Sequence, residues 1–138
     1  MNVPLSDSTV VTRLEKTLIS KFNEMNGAAQ GISAIQIGEP YRAALIRYKK
    51  GHKPFIMFNP TVIYTIGERD SNEGCLSELD KRYYVKRPLV MRVKYYSNGK
   101  WKTRTLFYKK ARIVAHEIDH MDGILLRDRE KVHGNNIS

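Results

Sequence analysis

Two histidines four residues apart, with a glutamate beside the first, form the segment of this sequence best equipped for chemistry: His116-Glu117-Ile118-Asp119-His120. On a helix, residues at i and i+4 lie one turn apart on the same face, so both imidazoles can grip one cation while Glu117 points at a water on it. That is the form of a hydrolytic metal site. Two helical histidines can also be plain surface residues, but here the spacing is joined by a correctly placed glutamate. A catalytic metal site has three protein ligands and an open position, so a third ligand is needed. The candidate is Cys75, the one cysteine, in Glu73-Gly74-Cys75-Leu76-Ser77, where Gly74 permits a close or unusual backbone path. A lone cysteine is most often a small buried hydrophobe, yet without it the histidine pair lacks a third partner. His52 and His133 sit in polar turn and tail sequence and rank below it. A further stretch, Gly31 to Gly38, is rich in small residues around Gln36. It has no lysine or phosphate-cradle spacing and is not a nucleotide loop; read alone, it is a tight loop before a strand.

The elements that must position these residues can be read from periodicity. Val11 to Met25 places Leu14, Leu18 and Phe22 at helical spacing among charged residues, which predicts an amphipathic helix capped by Ser8 or Thr9 and ended by Asn26-Gly27. Tyr41 to Tyr48 reads as a buried strand, Phe55 to Phe58 and Thr61 to Ile66 as further strands separated by Asn59-Pro60. Val85 to Tyr96 and Lys100 to Tyr108 flank Ser97-Asn98-Gly99, a strong hairpin signal. From Lys109 or Lys110 to Met121 the pattern is helical and Asp122-Gly123 stops it, with a frayed tail from Val132 to Ser138. Helix, strands, then a helix packed on them predict an α+β fold, with short antiparallel sheets around a central HExxH helix.

At 138 residues the chain fits one domain, 1–138, able to bury a core. No window approaches the roughly 20 apolar residues of a membrane helix, and one cysteine forbids an internal disulfide. The expected location is the cytoplasm, the host's for a viral chain, or an organelle. The net charge of +10 is unevenly placed: residues 1–80 carry nine Lys/Arg against nine Asp/Glu, residues 81–138 fifteen against five. Such a surplus suits a polyanion or an acidic ligand, or else a solvated basic face on hairpin strands. No zinc-finger or aromatic RNA-binding signature accompanies it, so no specific DNA binding is expected.

Taken together and in this order, the three chemical segments resemble peptide deformylase, whose pattern is GxGxAAxQ, then EGCLS, then HExDH. EGCLS is complete at Glu73 to Ser77 and HExDH at His116 to His120. In the first segment, aligned on Gln36, the second glycine is Gly31, while Ala29 stands for the first glycine and Ser33 for an alanine. The resemblance reaches from about Leu14 to about Leu126. The long helix that typically follows HExDH is missing, as in compact viral or organellar members.

The resemblance implies a hydrolase that removes the formyl group from formyl-methionine at the start of nascent peptides, releasing formate. It implies Cys75, His116 and His120 as ligands of one divalent ion, Fe(II) first, with Zn, Ni or Co able to replace it. Glu117 is then general base and acid. Gln36 and the Leu76 N–H are donors to the developing oxyanion, and Gly31 pairs with the peptide as an added strand. Gly74 and Arg82 fall beside the substrate, and Asp119 belongs behind the ligands or on the helix surface. Arg112, four residues before His116, stands where an apolar residue near the methionine pocket is expected; its stem can cover apolar surface while its charge reaches water. The basic region 81–138 is a candidate for ribosome contact in place of the missing helix. Rival readings are a small HExxH metallopeptidase, disfavoured by a cysteine ligand, and a basic RNA-associated protein with a structural metal site, disfavoured by three ligands rather than four.

Overall fold

The computed structural model describes residues 1–75 and 78–130, without the side chains of residues 75, 78 and 79. Leu76, Ser77, His133 and the tail from Val132 lie outside the described residues.

Helix α1 runs Ser8–Glu24 and buries Leu14, Leu18 and Phe22, the stripe expected from their spacing. Its cap is Asp7, not Ser8 or Thr9: the Asp7 carboxylate accepts from the N–H groups of Thr9 and Val10 at 3.1 and 3.3 Å. An aspartate there satisfies otherwise orphaned donors and sets a negative charge at the positive end of the helix dipole.

Five strands follow: β1 (Gly31–Ser33), β2 (Ala43–Ile46), β3 (Phe55–Cys75), β4 (Glu78–Ser97) and β5 (Lys100–Phe107). They form one antiparallel sheet in the order β1-β2-β3-β4-β5, and helix α2 (Lys109–Met121) comes after it. Gln36 sits in a short 3-10 turn, Ile35–Ile37, between β1 and β2. The Asn98-Gly99 turn has both residues at positive φ, 50° and 78°, as the tight hairpin of a right-twisted strand pair requires.

Asn59-Pro60 does not end a strand; it bends one. Phe58 faces Tyr96 and Thr61 faces Lys94, so one extra residue is accommodated on β3. Asn59 takes φ 49°, and its side chain accepts from Val3 N–H at 2.7 Å and donates to Val3 O at 3.0 Å. A bulge is where proline is tolerated, since no ladder bond is lost there.

Strand β2 explains the two-sided core. Ala43 and Leu45 pack with Leu14, Leu18 and Phe22 of α1, whereas Ala44 and Ile46 pack with Val114, Ile118 and Met121 of α2. Successive strand side chains point to opposite faces, so a strand buried on both faces reads as a continuous apolar run. One helix therefore covers each face of the sheet, and α2 brings its histidines against β1 and β4.

Candidate active site

Helix α2 presents His116 and His120 one turn apart, with their Nε2 atoms 3.0 Å from each other and the rings 4.7 Å between centroids. On the far side of its ring, His116 Nδ1 lies 2.7 Å from Glu73 Oε1. A carboxylate can only accept, so Nδ1 carries the proton, and in the neutral imidazole the lone pair is on Nε2, facing His120. Two imidazole nitrogens so close fit one cation with bonds near 2.0–2.1 Å. Among the described residues no set of three His, Cys, Asp or Glu side chains forms a ligand group. Cys75 closes β3 two residues after Glu73, and its thiol and the Leu76 N–H lie outside the described part. The donor set the metal needs is thus compatible with the two histidines, and their support is visible.

That support is a buried ionic chain. Arg87, 2% exposed, donates to both Glu73 oxygens at 2.9–3.2 Å and to Asp119 Oδ2 at 2.6 Å. Asp119 in turn accepts from Arg129 at 2.7 and 3.0 Å. Burial pushes the Glu73 carboxyl up, but hydrogen bonds from His116 and Arg87 and the nearby positive charge outweigh it and bring it down to about 2. The guanidinium of Arg87 is desolvated, yet the bonds and charges of Glu73 and Asp119 raise its pKa above the usual value. Glu73 is therefore a fixed anion that orients the His116 imidazole, the kind of outer contact that fixes ring orientation and basicity where a histidine is a ligand. Asp119 is buried behind the histidines and holds Arg87; it is no surface residue.

Glu117, 4% exposed, packs its carboxyl against the backbone of β1. A Cβ built on Gly31 would stand 2.9 Å from Glu117 Oε2 and 3.0 Å from its Cδ, closer than carbon atoms tolerate. Gly31 is thus required by close approach rather than by an unusual φ. Gln36 is held by its oxygen: Oε1 accepts from Ser33 N–H at 2.9 Å and Ser33 Oγ at 3.1 Å, which makes the amide nitrogen its donor end. Ser33, the departure from the family's alanine, is fully buried and supplies one of these bonds.

These groups share one cleft of about 410 Å3, lined by Gly31, Gln36, Glu73, Gly74, Arg82, Arg112, His116 and Glu117 among others. Arg82 is anchored to Asn72, with Nη2 2.7 Å from its carbonyl oxygen, and a Cβ on Gly74 would meet Arg82 Nη1 at 3.0 Å. His52 lines a different cavity, and His133 is outside the described residues. Arg87, Arg129 and the role of Glu73 were not anticipated from the sequence. The available signal was Arg87 itself, two residues after buried Val85 and hence on the inward face of a strand.

Comparison with known proteins identifies the family. The polypeptide deformylase family model matches residues 2–135. The chain is 33% identical over 128 residues to a peptide deformylase of Pelodictyon phaeoclathratiforme, covering 87% of this chain and 68% of that one. It is 35% identical over 122 residues to one of Brucella suis, covering 84% and 70%. The crystal structure of the class I type b peptide deformylase from Acinetobacter baumannii superposes with a TM-score of 0.83 at 29% identity, over 94% of this chain and 88% of that one. On sequence and fold alike, this chain belongs to the peptide deformylase family.

Proposed function

We propose that residues 1–138 act as one catalytic domain that hydrolyses the formyl amide at the N-terminus of formyl-methionyl nascent peptides, releasing formate. The observation that carries the reading is a pair of imidazole nitrogens 3.0 Å apart, the His116 ring sharing its cleft with a carboxylate packed on a glycine strand. His116, His120 and Cys75 would hold one divalent ion, which when bound supplies Lewis-acid polarisation and a more acidic water. Fe(II) is the proposed ion, and Zn, Ni and Co suit the same donors.

The remaining steps belong to the chain. Glu117 takes the proton of the attacking water on a carboxylate oxygen and hands it to the leaving amine, one group serving both transfers. As negative charge grows on the formyl oxygen, the Gln36 amide nitrogen and the Leu76 N–H donate to it; donors fixed beforehand need no reorganisation. The Gln36 role is supported by its oxygen being tied to Ser33, and the Leu76 role by the resemblance alone. Among the described residues strand β1 ends the sheet, so its outer edge beside Gly31 can pair with an extended peptide, with Gly74 and Arg82 across the cleft. Main-chain pairing of this kind accepts many sequences after the first residue.

Formate release from formyl-Met-Ala-Ser by protein loaded anaerobically with Fe(II) tests the reading, with acetyl-Met-Ala-Ser and metal-free protein as controls. Release from the formyl peptide alone, and only with metal, is the expected result; no release at full metal occupancy would overturn it. Glu117→Ala is expected to keep the metal and lose turnover, and Cys75→Ala to lower metal content itself. Among the described residues no helix is long and apolar enough to cross a membrane, and a cytoplasmic location is proposed. Ribosome contact through the basic 81–138 region is part of the same proposal. Co-sedimentation with ribosomes that falls as salt rises would support it, and no salt-sensitive binding would sink it.

A further inference from the structure

A second cleft, of about 750 Å3, opens where β5 meets α2 and, among the described residues, shares no lining residue with the first. Five aromatic side chains line it: Tyr48, Phe55, Tyr95, Phe107 and Tyr108. Tyr48 and Phe55 stand 5.4 Å apart and Phe55 and Tyr95 6.0 Å apart, so three rings form a tilted row on its floor. At the rim Phe107 and Tyr108 are 56% and 62% exposed. Tyr108 reaches that position with φ 53°, a conformation bulky residues avoid, and its ring gains little burial in return. Five cations, Lys49, Lys102, Arg104, Lys109 and Lys110, surround these rings, and among the described residues no acidic side chain lines the cleft. Among the described residues none of the five makes an ion pair; Lys110 instead lies 5.1 Å over the Tyr48 ring.

Exposed aromatic faces ringed by unpaired positive charge are complementary to a chain that offers flat rings and negative charge in alternation. We propose that this cleft binds single-stranded RNA, with bases stacked on Phe107 and Tyr108 and backbone phosphates on the surrounding Lys and Arg side chains. A duplex hides the faces of its bases, and the Asp and Glu side chains of an acidic peptide have no rings to stack. In cells unpaired bases are offered chiefly by RNA, DNA being held as duplex. The inference goes beyond the deformylase reading and stands or falls separately from it, because binding is measured without turnover.

The probe is a fluorescein-labelled oligouridine roughly 12 nucleotides long, within the span of single-strand sites, followed by anisotropy on the metal-loaded protein across a range of salt. Binding is expected to weaken with salt with a slope near −0.7 per phosphate contacted, and Lys102→Ala or Lys109→Ala should each flatten that slope by about 0.7. Phe107→Ala and Tyr108→Ala should each weaken binding about 5- to 150-fold, the loss of one stacked base, with the melting temperature of each variant as the folding control. Should Tyr108→Ala fail to fold, Phe107→Ala carries the test. Unchanged affinity in the aromatic variants would overturn the proposal. So would an RNA duplex or polyglutamate bound as tightly as oligouridine, or single-stranded DNA bound more tightly than RNA.

Discussion

The position of the Glu117 carboxylate is set by what Gly31 lacks. With a Cβ on residue 31 standing 2.9 Å from Glu117 Oε2, Gly31→Ala must push the carboxylate out of place or shift β1. A displacement on the order of 1 Å in a catalytic group costs about 100-fold, so kcat of Gly31→Ala is expected to fall by roughly that factor. Metal content, measured by elemental analysis, should stay at the parent level because neither histidine is touched; a variant with unchanged kcat would remove the steric argument. Ser33 acts more gently. Its hydroxyl is one of two donors that hold Gln36 Oε1, the other being its own N–H. Ser33→Ala keeps the backbone bond and gives up a neutral hydrogen bond of about 1 kcal/mol, so kcat should drop about fivefold. Steady-state kinetics should show this with KM little changed, as expected for a donor that matters most in the transition state.

At the scale of elements, the ionic chain joins three of them: Glu73 on β3, Arg87 on β4 and Asp119 on α2. Removing its middle member takes from two buried carboxylates the cation they share, leaving Asp119 only Arg129 and Glu73 only His116 among the bonds described above, which costs about 3–5 kcal/mol. Arg87→Ala should therefore lower unfolding free energy in denaturant by that amount and loosen the metal, because Glu73 would no longer be pinned against His116. A loss below about 1 kcal/mol, the value of a surface pair, would mean that the chain is not acting as a buried network. This network also marks where reading the sequence stopped. Helices α1 and α2 were legible because apolar residues recur at 3.6-residue spacing, and the hairpin at Asn98-Gly99 because that turn demands positive φ. The pairing of His116 with His120 was legible because both lie on one helix, one turn apart. Arg87 meets Glu73 only through the pairing of β3 with β4 and meets Asp119 only through helix docking, and no local period encodes either. Asn59-Pro60 was misleading for a related reason: a proline that ends an isolated strand can ride a bulge once a partner strand absorbs the extra residue.

For the molecule as a whole, β2 is the common wall of two cores. Leu18 is fully buried on the α1 side, and its contacts end on the same strand whose other face carries α2. Leu18→Ala should cost about 2–5 kcal/mol, and the loss should appear in one cooperative transition. Far-ultraviolet circular dichroism and metal release, followed on the same sample, should give coincident midpoints; metal lost well before the helices melt would mean that the two faces unfold separately. The long hairpin of β3 and β4 has a different bearing on the behaviour of this protein. Among the described residues no strand pairs with the other edge of β3 from Thr61 onward, and Val62, Ile63, Tyr64 and Ile66 are exposed there. An open apolar edge is a template for another chain, restrained by the charges of Glu68, Arg69 and Asp70 just beyond it and by the net charge of +10. Salt shortens the reach of that repulsion to about 8 Å at 0.15 M. Colloidal stability is therefore expected to decline as ionic strength rises, with copies joining first along β3, so the arm that carries Gly74 to the cleft also limits how concentrated a solution of this protein can be kept.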